Sequence, residues 1–123
     1  MNTSKSHRVL VIDDEEAILV VLSGIMARKN IDIHTAQTGE QGIRKMRDES
    51  YDLILTDMKM PGLSGIDVLN QVKQLKGDDV PVIGMSGTPW LFGDAKFDGI
   101  LTKPFSRKDL FDTIKSLLPS FFD

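Results

Sequence analysis

Four short stretches of the chain are continuously apolar, and between them apolar residues recur at helical spacing. Arg8 to Ile12 (RVLVI), Leu53 to Leu55 inside DLILTD, Val80 to Met85 (VPVIGM) and Gly99 to Thr102 (GILT) are each bounded by turn residues. Runs of that length predict strands buried on both faces. Ile31 to Ala36 instead alternates Ile31, Ile33 and Thr35 against Asp32 and His34, the pattern of an outer strand.

The helices are marked by their starts as much as by their periods. From Ala17, the positions Ala17, Ile18, Val21, Leu22, Ile25 and Met26 share helical spacing, and Asn30 can end that helix in a left-handed conformation. Thr38 with Gln41, Ser64 with Asp67 and Ser106 with Asp109 are three capping boxes. The first opens a helix running to about Glu49. The second opens one carrying Ile66, Leu69, Val72 and Leu75 up to Gly77, and the third one carrying Leu110, Phe111, Ile114, Leu117 and Leu118 up to Pro119.

Strand and helix therefore alternate five times. That alternation predicts an α/β fold, a doubly wound parallel sheet with right-handed crossovers and helices on both faces. One repeat is defective. Lys103 follows Ser86 by only 17 positions, and Pro89, Gly93 and Gly99 interrupt the stretch between them, so a shortened or irregular fourth helix is predicted. Trp90, Leu91, Phe92 and Phe97 fall in this segment. They are expected to seal the sheet where a helix cannot. The alternative is an exposed apolar patch for a partner or a second copy.

Composition narrows the function. The chain of 123 residues carries 15 basic against 18 acidic side chains, a net charge of −3. It offers no basic footprint for nucleic acid or an anionic membrane. With no cysteine there is no disulfide or thiolate chemistry. No signal-peptide core or membrane-length apolar run is present, so the expected location is cytoplasmic. The expected division is a disordered lead-in at 1–7, one domain at 8–119 and a C-terminal tail at 120–123. Phe121-Phe122 either packs back on the domain or begins a linker.

Parallel sheets gather their chemistry at the carboxyl ends of the strands. Four predicted strands end there in Asp13-Asp14, Asp57, Ser86 and Lys103. Taken singly, an acidic helix start, a turn aspartate, a turn serine and a surface lysine are ordinary. Together they are not. Three carboxylates at one rim would repel each other, so a cation must sit among them or a pKa must rise. Oxygen ligands without His or Cys favour a hard divalent ion, Mg2+ first. Lys103 and the Ser86 hydroxyl can hold further phosphoryl oxygens, which leaves Asp57 as the carboxylate nucleophile. His7 and His34 lack ligand spacing.

The segments VLVIDDEE, DLILTDMKMPGLSG, VIGMSG and ILTKPF resemble the motifs of the response-regulator receiver domain of two-component signalling. The resemblance covers about Arg8 to Leu118. It implies a flavodoxin-like sheet with strand order 2-1-3-4-5 and a phosphoryl group donated to Asp57 by a sensor histidine kinase or histidine phosphotransfer protein. It further implies Mg2+ on Asp14, Asp57 and the Lys59 backbone carbonyl, with Asp13 acting largely through water. Ser86 would be the switch hydroxyl, Lys103 its partner on the phosphoryl group, and the Lys103-Pro104 bond cis. The output partner is unspecified, and a homodimer is possible. Ile100 stands where the family usually has Tyr or Phe, so no ring is available there to turn inward, whereas the Ser86 hydroxyl is kept.

Other classes fit less well. An interaction domain with phosphate-independent or weakened switching rests only on Ile100 and the shortened segment. A phosphohydrolase of the haloacid-dehalogenase type wants a second Asp two residues after the nucleophile, where this chain has Lys59. A flavodoxin-type mononucleotide binder would need a Ser/Thr-rich loop in place of Asp13 to Glu16.

Overall fold

Strands and helices alternate along the computed structural model, which describes residues 7–121. The order is β1 (Arg8–Ile12), α1 (Glu16–Ala27), β2 (Asp32–Ala36), α2 (Gly39–Asp48), β3 (Leu53–Asp57) and α3 (Gly65–Lys76). Then come β4 (Val82–Ser86), a single 3-10 turn (Pro89–Phe92), β5 (Gly99–Thr102) and α4 (Arg107–Leu117). All strand pairs are parallel, and the order across the sheet is β2-β1-β3-β4-β5, as the resemblance implied.

Alternate strand residues feed two cores. Val9, Val11, Leu53, Leu55, Ile83 and Met85 face Leu22, Met26, Leu110 and Ile114 of α1 and α4. Leu10, Ile12, Ile54 and Val82 face Ile43, Met46, Val68 and Val72 of α2 and α3. Each such aliphatic side chain contributes about 2 kcal/mol by leaving water. β3 lies in the middle of the sheet and is buried along its whole length, so what stands at its end stands on a rigid base.

The capping boxes at Ser64/Asp67 and Ser106/Asp109 are closed in both directions. Thr38 caps α2 through the Gln41 N–H, but the Gln41 side chain reaches Gln37 N–H, one residue before the cap. Asn30 takes φ +59 beyond α1.

Three expectations are corrected in detail. β4 starts at Val82 rather than Val80, because Pro81 has no N–H to give the ladder; its carbonyl accepts from Ile54 instead. On α3 the buried face is Gly65, Val68, Leu69 and Val72, and Leu75 is exposed. Gly65 is pressed against the Asp57–Met58 backbone, and that contact sets the helix phase. On α1 the buried residues are Leu19, Leu22 and Met26, while Ala17 and Val21 face solvent. That helix is apolar nearly all round, so periodicity could not choose its phase.

The fourth helix is reduced to the 3-10 turn. Phe92 and Phe97 meet edge to face, ring centroids 5.2 Å apart, and cover Gly84. A Cβ on Gly84 would lie 2.5 Å from the Phe92 ring, so the glycine makes room for the aromatic pair. These two rings seal the sheet as expected. Trp90 does not: it is 74% exposed, and Ile100 is 45% exposed. The side chain of Leu91 lies outside the described part.

Of the lead-in and tail, residues 1–6, Phe122 and Asp123 lie outside the described residues. His7 is tied down, its carbonyl accepting from Asp32 N–H and its ring stacked on Phe121 with centroids 4.3 Å apart. Phe121 is buried and packs back on the α1–α4 core.

Candidate functional site

At the carboxyl end of β3, the peptide after Asp57 is fixed on every side. Met58 N–H donates to the Met85 carbonyl and to Asp57 Oδ1, Met58 O accepts from Gly65 N–H, and the Thr56 hydroxyl donates to Asp57 O. Asp57 is thereby held, 7% exposed, at the rim.

Asp13 comes from the end of β1 and is fully buried. Its Oδ1 accepts from Glu15 N–H at 2.9 Å, which makes the chain turn into α1. Asp14 beside it is exposed. Asp13, Asp14 and Asp57 each place one carboxylate oxygen within 4.8 Å of the others'.

Lys103, at the end of β5, crosses the rim to reach them. Its Nζ lies 2.8 Å from Asp13 Oδ2 and 3.2 Å from Asp57 Oδ1, with Glu15 Oε1 at 3.7 Å. The Lys103 N–H donates to the Ser86 carbonyl, and the Lys103-Pro104 bond is cis. Ser86, buried at the end of β4, is held by Thr88. Thr88 N–H donates to Ser86 Oγ at 2.9 Å, and the two hydroxyls are 3.2 Å apart. Lys59 is exposed in the loop two residues beyond Asp57.

The electrostatics follow from this crowding. Burial raises the Asp57 pKa, the charge of Asp13 raises it further, and Lys103 and the Met58 N–H only partly offset them. For Lys103 burial pulls the pKa down, but the hydrogen bond and charge of Asp13, followed by those of Asp57, outweigh it and raise the pKa. The ammonium therefore stays charged at neutral pH. Three carboxylates, Asp13, Asp57 and Glu15, lie within 4 Å of this cation, and Asp14 joins the cluster beside them.

Among the described residues, the structure thus brings together Asp13, Asp14, Asp57 and Lys103, with Ser86 on the adjoining strand end. Glu15, inside the VLVIDDEE segment, and Thr88 are not among the expected site residues, yet they touch Lys103 and Ser86. A second hydroxyl two residues after Ser86 was the available signal for Thr88. The histidines sit apart from the carboxylate cluster: His34 bonds the Tyr51 hydroxyl at 2.8 Å and His7 stacks on Phe121.

This arrangement can be compared with known proteins. The sequence model of the response regulator receiver domain matches residues 9–115. The chain belongs to that family. Among its relatives, it is 33% identical to Protein PilG of Pseudomonas aeruginosa over 96% of this chain and 92% of that one. It is 30% identical to Sporulation initiation phosphotransferase F of Bacillus subtilis, over 93% and 95%. The transcriptional regulatory protein ResD of Bacillus subtilis is 33% identical over 96% of this chain, which spans 50% of that protein's length. Among solved structures, response regulator protein TrrA of Thermotoga maritima, in complex with Mg(2+)-BeF, superposes with a TM-score of 0.83. That pair is 29% identical and covers 90% of this chain and 98% of the other.

This receiver domain therefore belongs to the signalling modules of two-component systems, which are generally not enzymes. Its carboxylate cluster fits Mg2+: three hard oxygen donors converge, none of them His or Cys, and negative charge is in excess. Among the described residues no helix is long and apolar enough to cross a membrane.

Proposed function

We propose that Asp57 accepts a phosphoryl group from a sensor histidine kinase or a histidine phosphotransfer protein, and that an output partner reads the change. The observation that supports this best is Lys103 Nζ bridging Asp13 Oδ2 and Asp57 Oδ1 within a three-carboxylate cluster.

Asp57 Oδ1 is engaged by Lys103 and by the Met58 N–H, whereas Oδ2 has no hydrogen-bond partner among the described residues. Oδ2 is the nucleophile. Its lone pair forms the new bond to phosphorus as the donor's bond to phosphorus breaks, and that bond's electron pair leaves with the donor. Lys103 then holds a phosphoryl oxygen, and the Ser86 hydroxyl turns from Thr88 to donate to another. The domain takes part in this way in its own phosphorylation and dephosphorylation.

Asp13, Asp14 and Asp57, with the Lys59 carbonyl, would hold Mg2+, Asp13 largely through water. Bound there, Mg2+ neutralises charge on the phosphoryl oxygens. With Ile100 facing solvent, the signal passes through the Ser86–Thr88 pair rather than through a ring at position 100.

Exposure to acetyl phosphate with Mg2+, followed by intact mass measurement, tests the reading. One added phosphoryl group is expected in the natural chain and none in Asp57→Asn. A natural chain that gains no mass on repeated trials would leave only a receiver-shaped interaction domain.

A further inference from the structure

β3 is apolar except at its last two positions, Thr56 and Asp57. Asp57 carries the chemistry, whereas Thr56 points away from it. Alternation along the strand turns Thr56 to the side of Ile54, which packs with Leu10, Ile12 and Val82, and turns Asp57 to the other. Thr56 is fully buried, with Ile12 and Gly84 beside it in register. A hydroxyl in such a place is unfavourable unless it is bonded, and valine would fill the same space without that cost. The hydroxyl here donates to the Asp57 carbonyl at 3.0 Å.

That carbonyl is one end of the peptide joining Asp57 to Met58, and a peptide is planar. Holding its C=O therefore fixes the direction of its N–H. The Met58 N–H donates to the Met85 carbonyl at 2.9 Å and to Asp57 Oδ1 at 3.0 Å. Oδ1 also receives Lys103, so the tilt of this peptide decides where the unengaged Oδ2 points. On its other side the Asp57 carbonyl lies against Gly65, where a Cβ would stand 2.4 Å away. The Gly65 N–H is given to Met58 O, which leaves the Thr56 hydroxyl to hold the Asp57 carbonyl.

We propose that Thr56 is a positioning residue for phosphoryl acceptance. It touches neither phosphate nor metal; through the Asp57–Met58 peptide it aims Asp57 Oδ2 at the phosphorus. This role rests on Asp57 being the acceptor. A threonine that only filled its place would behave differently. Packing depends on the methyl group, which valine keeps and serine loses. Positioning depends on the hydroxyl, which serine keeps and valine loses. The two variants therefore rank in opposite orders under the two roles.

The whole chain and both variants are given acetyl phosphate with Mg2+, and the rate of phosphoryl gain is read by intact mass. Thr56→Val is expected to be about tenfold slower, and Thr56→Ser within about twofold of the natural chain. A second measurement needs neither metal nor donor. In chains isotopically labelled at methionine nitrogen, the Met58 amide is expected to exchange its hydrogen about tenfold faster in Thr56→Val and at the natural rate in Thr56→Ser. A Val variant phosphorylated as fast as the natural chain, a Ser variant as slow as the Val one, or a Met58 amide indifferent to the hydroxyl would each overturn the proposal. A natural chain that gains no phosphate would overturn the acceptor reading first, and this role with it.

Discussion

Burial and the charge of Asp13 both work against an ionised Asp57, and Lys103 offsets them only in part. A carboxyl whose pKa is raised on folding binds its proton more tightly in the native state. Its stability contribution is present below the ordinary value of 3.8 and is lost as pH rises through the folded value. At pH 7 the ionised group therefore strains the metal-free domain. Asp57→Asn is expected to melt higher than the natural chain at neutral pH without divalent ions, with the difference closing as the pH approaches 4. Thermal unfolding followed at several pH values checks this. Lys103 behaves oppositely, because its raised pKa makes its contribution full below 10.5 and lost only as pH climbs through the folded value. Lys103→Met leaves Asp13 and Asp57 facing each other without a cation, which is expected to cost about 3 kcal/mol in urea unfolding at pH 7. These residues were legible in the sequence because each ends a short apolar run. Their partners Glu15 and Thr88 were not, since a contact made by a turn leaves no period to read.

The elements divide along the same line. Capping boxes located the starts of α3 and α4, because the cap is a local bond between residues three apart. The phase of α1 and of α3 depended on packing that no local pattern records. Gly65 is the clearest case: a Cβ there would stand 2.4 Å from the Asp57 carbonyl oxygen and 2.8 Å from Met58 Cα. Gly65→Ala is expected to destabilise the domain by roughly 3 kcal/mol in denaturant unfolding, because both obstructions are backbone and cannot swing aside. In the shortened segment, Phe92 does what a helix would otherwise do. Phe92→Ala is expected to cost about 3 kcal/mol and to uncover Gly84. The same unfolding measurement reads it. Trp90, 74% exposed on the same turn, should be freely quenched by acrylamide in the natural chain.

For the whole molecule, alternation of strands and helices was enough to give a parallel α/β sheet, and the motif set gave its order. Which helix faces remain in water was decided only by the packed structure, as Ala17 and Val21 on α1 show. A divalent ion held by the carboxylate cluster would act at this scale, because only the folded domain brings Asp13, Asp14 and Asp57 together. At ten times its dissociation constant, Mg2+ is expected to add about 1.4 kcal/mol, roughly 5 °C in a domain of this size. Calorimetry with and without a chelator measures it, and Asp57→Asn should gain less.

The contact at Gly65 has a mechanical side. Its N–H holds the Met58 carbonyl at 2.9 Å, and its bare Cα leaves no slack against the Asp57 peptide. The peptide after Asp57 and the first turn of α3 are thus packed as a single stiff body, so the carbonyl of Asp57 has little travel that the helix does not share. Twelve residues of α3 make a rod about 18 Å long. A displacement of the Asp57 peptide would therefore be carried along that rod towards Gly77 and the loop before β4, at the opposite pole of the sheet.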